Sequence, residues 1–186
     1  MPDDSLLSAG SNGLIPDRVS PTWGELITVE ERHLDVWGHT NNVCYVQWMQ
    51  DVAVGHSAAI GWDSKRYLDA GAIWVVRNHT VDYRRSTYLG NRILVQTWIE
   101  EMKNFSCLRR YRFVEVDKDL DETQLLDSNG FLHNQELDFP KSAILATAST
   151  KWAFISTETL RPVKIHQEII DMFKTIVETG SFPSIK

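Results

Sequence analysis

The chain has 186 residues, 42% of them hydrophobic and 24% charged, with a formal net charge of −6 at pH 7. This is the makeup of a globular protein of about one domain. It argues against nonspecific nucleic-acid binding, which needs a net basic surface, and no stretch approaches the ~18 apolar residues of a membrane span. Cys44 and Cys107 are too few for a disulfide framework and fit a reducing compartment. The start, Met1-Pro2-Asp3-Asp4, lacks a basic segment followed by an apolar run. The expectation is therefore a cytoplasmic protein with no membrane partner.

Residues 1–22 are rich in Ser, Asp, Gly, Asn and Pro and read as a loose leader. Residues 23–186 read as a single domain. A β-rich run, Gly24 to Glu31, gives a first strand. A polar loop from His33 to Asn42 follows. Thr40, Asn41 and Asn42 then occupy helix-capping positions, because their side chains can accept from free amides. Val43, Val46, Met49, Val52, Ala53 and Ile60 recur at helical spacing, and Tyr45 and Trp48 widen the apolar face. The spacing predicts a heavily buried helix over 43–60, stopped near Gly61.

Strands are expected at Ala72–Tyr83, Arg92–Met102, Ser106–Val116 and Ala143–Ile155. Tyr88-Leu89-Gly90-Asn91 and Lys103-Asn104 supply turns. The acidic stretch 117–141 breaks the alternation and reads as a long loop insertion, either functional or disordered. An amphipathic helix is expected over His166–Val177. One strand, one long helix, then four strands and a small helix point to an α+β fold with an antiparallel sheet curled around the helix.

Asp35 leads the candidates for chemistry. It lies three residues before Gly38 and close to the helix start at Asn41 and Asn42. Free amides and the helix dipole there can polarise a carbonyl and stabilise an oxyanion. A neighbouring carboxylate can attack that carbonyl or activate water. The pairing suits acyl transfer from a thioester, since a thiolate leaves without strong protonation. The other reading of Asp35 is closure of a turn. His33, Asp35 and His39 lie within seven residues, yet no further ligand set converges on them, and neither metal nor cofactor is called for. Asp51 is either a second carboxylate or a solvated helix residue. Ser57 and Cys44 have no evident base and orienter, and no Gly-x-Ser-x-Gly elbow or phosphate-cradling loop occurs. The basic clusters Lys65-Arg66, Arg84-Arg85 and Arg109-Arg110-Arg112 read as phosphate contacts or as exposed strand charges. Trp37, Trp48 and Trp74 are candidates for an acyl pocket or for plain core.

The block Leu34-Asp35-Val36-Trp37-Gly38-His39-Thr40-Asn41-Asn42-Val43-Cys44-Tyr45 resembles the Asp-x-x-Gly-His-x-Asn-Asn-x-x-Tyr signature of hotdog-fold thioesterases. These include the 4-hydroxybenzoyl-CoA type, and acyl-carrier-protein thioesterases carry a similar block. Val75 to Tyr83, Leu89 to Arg92 and Arg161-Pro162-Val163 extend the likeness. The resemblance implies a long helix wrapped by a curved antiparallel sheet, and a homodimer or homotetramer with sites at the subunit interface. It implies an acyl-CoA or acyl-carrier-protein substrate. It assigns Asp35 as nucleophile or general base and the amide near Asn42 as the carbonyl-polarising donor. His39 and Asp51 stand as further catalytic candidates. Gly38, Asn41, Tyr45, Arg84 and Arg85 stand as substrate-binding candidates. Gln50 occupies a position where relatives often carry Glu, Ala53 one where many carry Arg, and Ser86 one where Pro is frequent. Two other functions stay open: a non-catalytic acyl-thioester binder, and an enoyl-thioester hydratase or dehydratase that uses His39.

Overall fold

The computed structural model describes residues 20–134 and 137–179. Five antiparallel strands form one sheet: β1 (Trp23–Thr28), β2 (Ala72–Tyr83), β3 (Arg92–Met102), β4 (Ser106–Val116) and β5 (Ile144–Ser156), in the spatial order β1-β3-β4-β5-β2. The long helix α1 (Asn42–Ala59) lies against one face of this sheet. Alternation sets which side chains meet it. Ile93, Val95 and Ile99 of β3 and Tyr111 and Phe113 of β4 turn inward onto Tyr45, Met49 and Val52. The helix α3 (Gln167–Thr179) adds Ile169 and Phe173 to the same core. The fold is α+β, as the element order implies.

The first strand is shorter than expected, because Glu31–His33 coils into a 3-10 turn. A short helix, α2 (Ser64–Asp69), stands between Gly61 and the strand that begins at Ala72. Asp63 caps it by accepting from the Arg66 amide at 2.7 Å. Six residues are too few to print an apolar period, so the cap was its one legible signal.

The stretch 117–141 is more than a bare loop. Leu125, Leu126 and Leu132 are buried against Leu94 and Val114, on the sheet face opposite α1. Asp127 closes its turn by accepting from the Asn129 and Phe131 amides at 2.8 and 2.9 Å. The segment also covers the outer edge of β1. The Gly24 amide donates to the Gly130 carbonyl at 2.9 Å, and the Leu132 amide to that of Thr22 at 3.2 Å. Trp23 locks this junction, with its indole N–H on the Asn129 carbonyl at 2.6 Å. A Cβ at Gly55 or at Gly130 would lie 2.5 Å from the Trp23 ring. With β1 covered, β2 is the edge left open among the described strands.

Residues 1–19 of the expected leader lie outside the described residues. Ser20 does not belong to a loose segment. It is buried, and its hydroxyl accepts from the Ile99 amide at 2.7 Å, beside the bulge in β3.

Candidate active site

The segment from Leu34 to Thr40 folds back on itself as a tight loop ahead of α1. Leu34 bridges Thr40, the Asp35 amide donates to the His39 carbonyl at 2.7 Å, and the Gly38 amide to that of Asp35 at 3.1 Å. Gly38 sits at φ 79°, where a Cβ would strain the backbone. Asp35 is partly buried, and one of its oxygens serves the loop. Oδ1 accepts from the Trp37 amide at 2.8 Å and from the His39 amide at 3.1 Å. Among the described residues Oδ2 takes no hydrogen bond. The turn-closing and the chemical readings of Asp35 therefore apply to different oxygens of one carboxylate.

The helix start is arranged in a matching way. Asn41 caps α1, its side chain accepting from the Val43 amide at 3.0 Å, and its carbonyl accepts from the Cys44 amide at 2.9 Å. The Asn42 amide is the first-turn donor left without an acceptor among the described residues. Asn42 is exposed, and its carbonyl receives the Tyr83 hydroxyl from the end of β2 at 3.3 Å. An exposed free amide at the positive end of a helix is suited to a developing oxyanion.

A buried chain of hydroxyls holds the loop to the body. Tyr45 donates to Thr87 Oγ1 at 3.0 Å, Thr87 to Thr40 Oγ1 at 2.7 Å, and Thr40 to the Thr87 carbonyl at 3.2 Å. The Thr40 amide also donates to that carbonyl, at 2.8 Å. Burial raises the Tyr45 phenol above its ordinary range, which keeps it a neutral donor. Sequence reasoning missed Thr87, which lies 47 positions from Thr40 with no local pattern to join them. Thr87→Val should orphan the buried Tyr45 hydroxyl, leave Thr40 only its bond to the residue-87 carbonyl, and destabilise the protein by about 1–3 kcal/mol, read from urea unfolding. A loss within error would mean that the chain of hydroxyls is replaceable by packing.

The remaining candidates separate. The His39 ring packs edge-on against Tyr88 with centroids 5.2 Å apart. His33 is structural, accepting from the Glu30 amide at 3.0 Å and meeting Trp48 edge-on. Asp51 is exposed and accepts from Gln47 at 2.8 Å. It lies nine positions after Asn42, about 13 Å along the helix at 1.5 Å per residue. Arg84 faces Asp82 at 3.6 Å, and Arg85 pairs with Glu115 at 2.5 Å. Burial raises the Cys44 thiol, which lowers its thiolate fraction. Among the described residues no three His, Cys, Asp or Glu side chains converge as a metal site. No described helix is long and apolar enough to cross a membrane. Trp37 is exposed and Trp48 is core, while Trp74 lines a cavity.

Arg109 corrects the reading of the basic clusters. It is 4% exposed and lies inside the fold, because it shares the inward parity of Tyr111 and Phe113. Its Nη1 donates to His56 Nδ1 at 2.8 Å and to Thr97 Oγ1 at 3.1 Å. His56 is fully buried between the rings of Phe131 and Phe173. Burial, then the Arg109 charge, push it well below the usual 6.5. The unfolded chain thus takes up a proton near pH 6.5 that the folded chain refuses. Stability should be intact above that value and fall below it, by at most about 1.4 kcal/mol per pH unit. Partly buried His79 acts in the same sense. Urea midpoints at pH 7.5 and 5.5 check this, and His56→Gln should flatten most of the slope.

The comparisons with known proteins bear on the family and the fold. A family described as the thioesterase-like superfamily matches residues 29–173. The fold and the match define the class, a hotdog-fold protein of the thioesterase-like kind. The chain belongs to the thioesterase-like superfamily. Comparison with curated proteins finds no match. Among solved structures, a DHNA-CoA thioesterase from Staphylococcus aureus superposes with a TM-score of 0.63 at 15% identity, over 89% of this chain and 99% of that one. Another Staphylococcus aureus protein, solved in complex with CoA, gives 0.65 at 14% identity, over 95% and 92%. A Lactobacillus plantarum protein described as an oleoyl thioesterase gives 0.64 at 16% identity, over 83% and 51%, so this chain spans about half its length.

Proposed function

We propose that the protein hydrolyses an acyl-CoA thioester, with Asp35 as nucleophile or general base and the Asn42 amide polarising the carbonyl. One observation carries the reading: a carboxylate oxygen and a helix-start amide, both without partners among the described residues, stand at the two ends of one short loop. The thioester oxygen accepts from the Asn42 amide. In the general-base route, water gives a proton to Asp35 Oδ2 and its oxygen bonds to the carbonyl carbon. The tetrahedral intermediate collapses, the C–S bond breaks, and the electron pair leaves on the CoA thiolate. In the nucleophilic route Asp35 Oδ2 bonds to the carbonyl carbon, the C–S bond breaks with the electron pair leaving on the CoA thiolate, and water then opens the resulting anhydride to the free acid and the Asp35 carboxylate. Gly38 and Asn41 shape this site, and Tyr45 acts through Thr87 to position it. Arg84 and Arg85 remain candidates for the CoA phosphates, although both face a carboxylate.

The open edge of β2 supports a homo-oligomer built by pairing that strand with a second copy. Packing of His39 against Tyr88 favours hydrolysis over a hydratase that needs this imidazole. Thiol release from short, medium, long and aromatic acyl-CoAs tests the proposal, with hydration of an enoyl-CoA followed optically alongside. Turnover on at least one acyl-CoA, with one equivalent of free acid per thiol, is expected. Tight acyl-CoA binding with no thiol released would leave a binding protein, and loss of the enoyl absorbance alone would mark a hydratase.

A further inference from the structure

A cavity of about 300 Å³ lies between the second half of α1, α2 and the sheet. Its mouth is set by the exposed side chains of Val54, Ser64 and Leu68. Its walls are apolar and aromatic, with Trp62, Tyr67 and Trp152 prominent, and Arg109 lines its buried end. None of the lining residues is acidic. None of the ion pairs among the described residues includes Arg109. An arginine guanidinium is a cation with five N–H donors and no acceptor. Its hydrogen-bonding partners are neutral: a threonine hydroxyl, and an imidazole whose Nδ1 must hold a lone pair to accept. The indole N–H of Trp62 meets no partner among the described residues. Ser57 and Trp74 lie beside the Tyr67 hydroxyl without reaching hydrogen-bond geometry. A buried charge without a counterion is expensive, and this one faces a space bounded by further unused donors. Cation at the base, donors beside it and hydrocarbon walls together specify an anionic ligand with an apolar body.

We propose that this cavity binds a short hydrocarbon carrying a carboxylate, paired to Arg109, so that the preferred thioester has an acyl group ending in a second carboxylate. The substrate half of this inference rests on the thioesterase reading. Ala53 lies about 16 Å along α1 from Asn42 at 1.5 Å per residue, beyond the reach of a short acyl chain. Trp74, on the cavity, and Tyr83, on the Asn42 carbonyl, stand towards opposite ends of β2. Antiparallel pairing of two β2 edges brings the helix start of a second copy to this cavity. One copy then presents the thioester and the other receives the acyl group.

The full-length protein is titrated with hexanoate and hexanamide, and with benzoate and benzamide, following the fluorescence of the cavity tryptophans. Each acid should bind at least tenfold tighter than its amide, and the preference should vanish in Arg109→Gln. If that variant fails to fold, Val54→Trp, at the exposed mouth, should block both ligands. Equal binding of acid and amide, or acid binding that survives the blocked mouth, overturns the proposal. In a second arm, adipyl-CoA should exceed hexanoyl-CoA at least tenfold in kcat/KM. Acid preference without thioester preference would overturn the substrate half and assign the site to free acids. Acid preference with no turnover on any thioester would sink the hydrolase reading and leave the site standing. Turnover with no acid preference would do the reverse.

Discussion

Asp35→Ala is expected to lower kcat on acyl-CoA by about 10²–10⁴-fold, the usual contribution of a positioned general base. Alanine also removes the acceptor for the Trp37 and His39 amides, so part of any loss could come from a loosened loop. Asp35→Asn separates the two effects. Its side-chain carbonyl still accepts from both amides, while the charge and the proton acceptor are gone. Asparagine should therefore be nearly as inactive as alanine, with a melting temperature closer to that of the native protein. Activity retained in Asp35→Asn would remove the carboxylate from the chemistry and turn attention to Asp51.

The largest effect on stability is expected from Phe113→Ala. Phe113 is fully buried on β4, its ring centroid 5.0 Å from that of Tyr45. Truncating a buried phenylalanine costs about 3–5 kcal/mol in lost burial and cavity. For a chain of this size that lowers Tm on the order of 10 °C, readable by circular dichroism. Tyr45 also starts the hydroxyl chain to Thr40, so turnover should fall in the folded fraction as well. Phe113→Leu should recover much of both. A stability loss below about 1 kcal/mol would show that the ring does not carry this part of the core.

How much of this was legible in the sequence depended on how local each signal was. The long helix and strands β2 to β5 were legible because their side chains repeat over ten or more residues, and the sheet follows from their order. The loop before α1 was legible as a motif, since Asp35, Gly38 and Asn41 are all within one turn and a cap. The dual use of the Asp35 oxygens was not, because it depends on which amides the loop turns inward. Thr87 was invisible for want of any sequence proximity to Thr40. Arg109 was misread because charge on a strand suggests exposure, whereas its parity with Tyr111 and Phe113 was the better guide. The packing of the stretch 117–141 was hidden for the opposite reason. Its acidic composition masked Leu125, Leu126 and Leu132, whose partners, Leu94 and Val114, lie on the outer face of the sheet.

The measurement that bears most directly on the site is a crystal structure with an acyl-CoA analogue whose thioester is replaced by a ketone. The ketone oxygen should lie within about 3 Å of the Asn42 amide, the distance of an ordinary N–H···O bond, with Asp35 Oδ2 facing the carbonyl carbon. A ketone held instead beside Gln50 and Asp51, with the Asn42 amide still open to water, would contradict that placement.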